Sequence, residues 1–131
     1  LEMMKAAMKA VEGSDIKLFG VTALTSLSDE DTSFIFKRTA EEQVNAMLDL
    51  AEQAGIDGVV CSPHELSLVS KRKSLLSITP GIRLKDSNDD QSRVMTPKDA
   101  INLGANFLVI GRPITEAENI KEALLEIHNS L

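Results

Sequence analysis

Cysteine is almost absent from this chain. Cys61 stands alone, so no disulfide can form within the sequence, and the usage fits a reducing cytoplasm. A run of about 18 apolar residues is also missing, which argues against a transmembrane helix, and there is no signal-peptide pattern. Basic excess is missing too. The formal net charge is −6, which speaks against general binding to nucleic acid or an anionic membrane but leaves room for a small local anion site. The only histidines, His64 and His128, lack metal-ligand spacing and read as structural or exposed. The acidic stretch SDEDTS (28–33) lacks the spacing of a calcium loop and reads as a solvated turn, so no metal is expected. Linkers, low-complexity tracts and solenoid-scale repeats do not occur.

What is present is a chain of 131 residues, 43% hydrophobic, with charges of both signs mixed along it. That is enough for one modest domain with one core. Four nearly continuous apolar runs stand out: KLFGVTAL (17–24), DGVVCS (57–62), SLLSITP (74–80) and NFLVIG (106–111). They do not alternate cleanly, which is the pattern of parallel strands covered on both faces. Helical patterns lie between them. AEEQVNAMLDLAEQAG places Val44, Met47, Leu48 and Ala51 on one face and ends on Gly55, and AENIKEALLEIHNSL spaces Ile120, Ala123, Leu124 and Ile127 for another. Capping-box spacing recurs at Thr39–Glu42, Ser62–Glu65, Thr96–Asp99 and Thr115–Glu118, with Pro63 and Pro97 at first helical positions. KRK (71–73) reads as the carboxyl end of a helix.

The order predicted is a helix followed by four strand–helix units, an α/β fold with right-handed parallel crossovers. Four such strands make either a small doubly wound sheet or half of an eight-stranded (β/α) barrel, which takes roughly 250 residues. A half-barrel would leave two strand edges open. The chain begins Leu1-Glu2-Met3-Met4 and reads as helical from the start, as a fragment would.

In both architectures ligands bind at the carboxyl ends of the strands. Thr22, Thr25 and Ser26 follow the first strand, and Cys61, Ser62 and His64 the second. The third is followed by the long polar stretch TPGIRLKDSNDDQSRVMTP (79–97), with Arg83, Gln91 and Arg93, and the fourth by Gly111-Arg112-Pro113. Gly111 permits close backbone approach to an anion, and Arg83 and Arg112 carry forked permanent charge suited to phosphate oxygens. The long loop then reads as a phosphate cover. Cys61 reads as a small buried strand residue. Asp15-Ile16-Lys17 lies at the wrong end of a strand for catalysis.

VTALTS (21–26), GIDGVVCS (55–62), TPGIR…DDQSRVMTP (79–97), GANFLVIGRPIT (104–115) and the closing helix resemble, in order and over nearly the whole chain, the bacterial orotidine 5′-phosphate decarboxylase family. The resemblance implies a TIM (β/α)8 barrel of which this chain is about the second half, residues 1–131 beginning in the fourth helix. It implies decarboxylation of orotidine 5′-monophosphate to UMP in pyrimidine biosynthesis without metal or organic cofactor, by a cytoplasmic homodimer. Matched motif by motif, it places Thr25 at the pyrimidine and Pro80 against the base. Arg83, Gln91, Gly111 and Arg112 fall on the nucleotide, with Arg112 and the Gly111 backbone at the phosphate. The family's catalytic Asp-x-Lys-x-x-Asp is absent. Asp15-Ile16-Lys17 has Gly20 in the last position, so no catalytic residue is expected in this chain, which is expected to be inactive alone. A half-barrel that binds phosphate or nucleotide without catalysis is the other reading.

Overall fold

The computed structural model describes residues 1–24, 27–84 and 94–131. The strands are β1 (Phe19–Val21), β2 (Gly58–Val60), β3 (Leu76–Thr79) and β4 (Phe107–Leu108). They form one sheet in the order β1-β2-β3-β4, every pair parallel. The helices are α1 (Glu2–Ala10), α2 (Asp29–Phe36), α3 (Ala40–Ala54), α4 (Leu66–Val69, after a 3-10 turn at Pro63–Glu65), α5 (Pro97–Asn102), α6 (Arg112–Thr115) and α7 (Ile120–Ser130). Each strand lies within one of the four apolar runs, and the crossovers carry the helices.

One face of the sheet is sealed. Val59, Cys61, Ser77 and Thr79 are buried against a core that includes Val44, Leu48 and Ala51 of α3 and Leu66 and Val69 of α4. The opposite face is half open. Val21 is 57% exposed, Phe107 51% and Val109 47%, values that a strand covered on both faces would not show. A four-stranded sheet at ordinary strand spacing would hold β1 and β4 about 14 Å apart. Yet the rings of Phe19 and Phe107 meet edge to face with centroids 6.4 Å apart, because the sheet curls and the Phe19 ring leans over Gly58. A Cβ on Gly58 would lie 2.6 Å from that ring and 2.3 Å from the Leu76 carbonyl oxygen. The curl is that of a barrel wall with its first and last strands unpaired on their outer sides.

Three further readings from the sequence change. SDEDTS is a helix start rather than a solvated turn: Ser28 caps α2 in a full capping box with Asp31. The last helix begins at Asn119, whose side chain accepts from the Lys121 and Glu122 N–H groups, and Thr115 instead closes α6. Thr115 is already the last residue of the short helix that Gly111 and Pro113 start, so the capping role for α7 falls to Asn119. KRK lies beyond the end of α4 at Val69, and Arg72 reaches across to Asp49 (2.7 Å) and Glu52 (2.8 Å) on α3. Its charge meets side chains, not a helix terminus.

Candidate functional site

All four strands point the same way, so their carboxyl ends form one rim. Hydrogen bonds hold that rim in register: Thr22 N–H to the Val60 carbonyl (3.1 Å), Cys61 N–H to Ile78 (3.1 Å) and Val109 N–H to Thr79 (2.9 Å). Pro80 is half-buried just past β3. Gly81 has φ +81°, a left-handed turn that favours glycine and redirects the chain away from the strand. Next, Ile82 bridges to Met95, with Arg83 N–H donating to the Met95 carbonyl (3.0 Å) and Met95 N–H to Gly81 (3.1 Å). The two ends of the long polar loop are therefore stapled together at its base.

Arg83 is 8% exposed, and its Nη1 donates to the Ile82 carbonyl at 2.9 Å. A guanidinium held this deep is not an ordinary solvated arginine. Beside β3 on the sheet, β4 leads to Gly111 and Arg112. Gly111 starts α6, its carbonyl accepting from Ile114 (2.8 Å) and Thr115 (3.0 Å), and the place of its missing Cβ is open space. Arg112 is half-buried. Adjacent strands thus bring Pro80, Arg83, Gly111 and Arg112 to one sector of the rim. Thr25, Gln91 and Arg93 lie outside the described residues.

Cys61 is 1% exposed and its Sγ lies 4.0 Å from Thr79 Oγ1. Burial, then the nearby Glu65 charge, push its thiol up to about 12, so it is neutral and unreactive at physiological pH. His64 is exposed and lines an open cleft with Ser28, Glu41, Ser67 and Lys71. That cleft contains none of Pro80, Arg83, Gly111 and Arg112, and its charges are of both signs.

Sequence reasoning missed Glu65 as more than a cap. It is 5% exposed, and Oε2 accepts from Ser62 N–H at 3.0 Å and lies 3.4 Å from Thr22 Oγ1. The signal was present in part, as Ser62–Glu65 spacing, but nothing in the spacing says that the acid is buried. Lys17 is also accounted for. At the opposite rim it pairs with Asp57 (3.2 Å), whose other oxygen accepts from Leu18 N–H (2.8 Å). That hydrogen bond, and then the lysine, hold the Asp57 carboxyl below its ordinary value.

A decarboxylase of Wolbachia pipientis subsp. Culex pipiens, named orotidine 5′-phosphate decarboxylase, is 49% identical over 121 residues, which are 90% of this chain and 54% of that protein. One of the same name from Shewanella sediminis is 49% identical over 138 residues, covering 100% of this chain and 59% of the other. The crystal structure of orotidine 5′-phosphate decarboxylase from Lactobacillus acidophilus superimposes with a TM-score of 0.78 at 34% identity, over 98% of this chain and 58% of that one. The chain therefore spans little more than half the length of these relatives, and its four strands with their helices are half of a TIM barrel. The family model for orotidine 5′-phosphate decarboxylase / HUMPS matches residues 1–127, and the chain belongs to that family.

Proposed function

We propose that this chain is the carboxyl-terminal half, from the fourth helix onward, of an orotidine 5′-phosphate decarboxylase that forms UMP in pyrimidine biosynthesis. The observation that carries the reading is the stapled base of the long loop. The Gly81–Met95 and Arg83–Met95 pairs fix the Pro-Gly-Ile-Arg turn past β3, and the neighbouring strand β4 leads to Gly111-Arg112. In this reading Arg112 and the Gly111 backbone hold the phosphate, Arg83 and Gln91 complete the nucleotide contacts, and Pro80 and Thr25 border the base. The neighbouring loop covers the phosphate when ligand is bound.

The division of labour follows from the chemistry. Loss of CO₂ leaves a carbanion at C6 of the pyrimidine. A lysine within a carboxylate–lysine network stabilises that charge and protonates it. Those residues belong to the part of the relatives' length that this chain does not span. The phosphate does not react. Its binding energy closes and organises the site, so the half described here contributes to the transition state from a distance. The whole protein works as a cytoplasmic homodimer without metal or organic cofactor.

A second reading is a half-barrel that binds nucleotide without chemistry. It is supported by the buried core and by the Phe19–Phe107 contact between the first and last strands. Calorimetric titration of the 131-residue chain with UMP, alongside a decarboxylation assay on orotidine 5′-monophosphate, tests both. Binding without turnover is expected. Turnover by a pure preparation would overturn the assignment of catalysis to the other half, and failure to bind would mean that the grip needs that half to form.

A further inference from the structure

We propose that α2 is a self-pairing surface. It packs antiparallel against α2 of a second copy of this chain, with Phe34 at the two-fold axis. The proposal is separate from the nucleotide site and does not rest on the decarboxylase reading.

This helix turns its large side chains to solvent. Thr32 is fully buried and marks the inner face, where α2 packs on α3. Phe34, roughly 200° further round, points away and is 76% exposed, the most of the four phenylalanines. Ile35 and Phe36 beside it are exposed as well. Single apolar residues on a surface need no explanation, but three in succession at the end of one short helix form a patch. The backbone at its edge is also unusual. Lys37 has φ +56°, the only positive φ outside glycine among the described residues. A left-handed helix end usually falls to glycine. Here a lysine holds it, and its ammonium lies 4.9 Å from the centre of the Phe34 ring.

Charge says what covers the patch. Glu30 and Asp31 lie one turn before Phe34 on its face, Lys37 lies one turn after it, and Arg38 follows. When two such helices run antiparallel about Phe34, position 30 of one meets position 38 of the other, and 31 meets 37. Both pairs are opposite in charge, and the two-fold axis repeats each of them. A parallel pairing would set acid against acid. The groups are available for this role. Glu30, Lys37 and Arg38 form no salt bridge among the described residues, and Asp31 bonds Ser28 through Oδ2 alone. An anionic membrane would accept Phe34 and the basic pair but repel Asp29, Glu30 and Asp31 next to them, on a chain of net charge −6. Two eight-residue helices bury less than the roughly 1,200 Å² of a stable interface, so the pairing is weak and shows as mass rising with concentration.

The test is sedimentation equilibrium of the whole protein that carries this segment, over a series of concentrations. Phe34→Ala should weaken association roughly tenfold, because an aromatic side chain at the centre of an interface carries most of its energy. The side chain removed is exposed, so the fold should survive, as circular dichroism would show. A second arm uses charge. Glu30→Lys would face Arg38 of the second copy, and Arg38→Glu would face Glu30, so each variant alone should associate more weakly than the parent. Mixed in equal amounts, each supplies the charge that the other needs, and association should return close to the parent's. Loss of folding cannot imitate that recovery. A parent of constant mass, a Phe34→Ala variant that associates like the parent, or a mixture no stronger than its parts would each overturn the proposal. Binding to phosphatidylserine vesicles that depends on Phe34, without self-association, would overturn it in favour of a membrane surface.

Discussion

The two rims of this sheet are built differently. At the amino-terminal rim, polar groups are consumed in local pairs. Asp57 joins Lys17 and Leu18, the Asn106 side chain accepts from Ser77 N–H (2.8 Å) while Asn106 N–H donates to Ser77 Oγ (3.0 Å), and the Phe19–Phe107 contact closes over Gly58. The carboxyl-terminal rim instead buries polar groups that a simpler core would omit: Glu65, Arg83 and the Ser62 hydroxyl. Burying such groups costs stability unless hydrogen bonds replace those lost to water, and in barrels this is the rim that binds ligands. One rim uses its polar groups to hold the fold, and the other is the rim of the proposed nucleotide site.

The sharpest way to break that contrast is Gly58→Ala. Any Cβ there meets the Leu76 carbonyl oxygen at 2.3 Å, a backbone atom that cannot swing aside. Loss of at least about 3 kcal/mol, or failure to fold, is expected in chemical denaturation. A variant as stable as the parent would show that the curl over Gly58 is dispensable.

Next comes Arg112→Ala at the other rim. It should weaken UMP binding in the whole protein by about 1.5–3 kcal/mol, the worth of a charge-assisted hydrogen bond. Undiminished UMP affinity would remove Arg112 from the phosphate.

A smaller effect is expected from Cys61. Its folded pKa of about 12 exceeds that of an unfolded thiol. Its contribution is therefore fully present below the unfolded pKa and is lost as pH rises toward 12, at no more than about 1.4 kcal/mol per pH unit. Cys61→Ala should flatten the alkaline fall in stability measured by urea titration at several pH values, with turnover of the whole enzyme unaffected. An alkaline fall that persists in the variant would assign it to other groups.

The smallest effect is expected from Asp57→Asn. The carboxyl is held below its ordinary pKa, so its contribution is present above the unfolded value and is lost as pH falls through the lower folded one. The variant should melt at a modestly lower temperature at neutral pH, lose that difference in acid, and bind UMP as the parent does. Weakened UMP binding would show that the rims are coupled.

Much of the fold was legible without coordinates because its signals are local. The strands fall inside the apolar runs, α3 buries Val44, Leu48 and Ala51 at helical spacing, and Gly55 closes it with φ +71°. Motif put Pro80, Arg83, Gly111 and Arg112 on the proposed site, and the structure sets them past the ends of the neighbouring strands β3 and β4. The burial of Glu65 was not legible, since a capping box reads the same whether its acid faces water or a neighbouring strand.

The sequence by itself determined the alternation of elements, the parallel order that follows from it and the family, because periodicity, caps and motifs act over a few residues. Only the tertiary structure decided the curl that brings Phe19 to Phe107, the burial of Glu65 and Arg83, and the pairing of Lys17 with Asp57, 40 residues apart. Each of these depends on which strands lie side by side, and packing across the sheet, not local propensity, sets that.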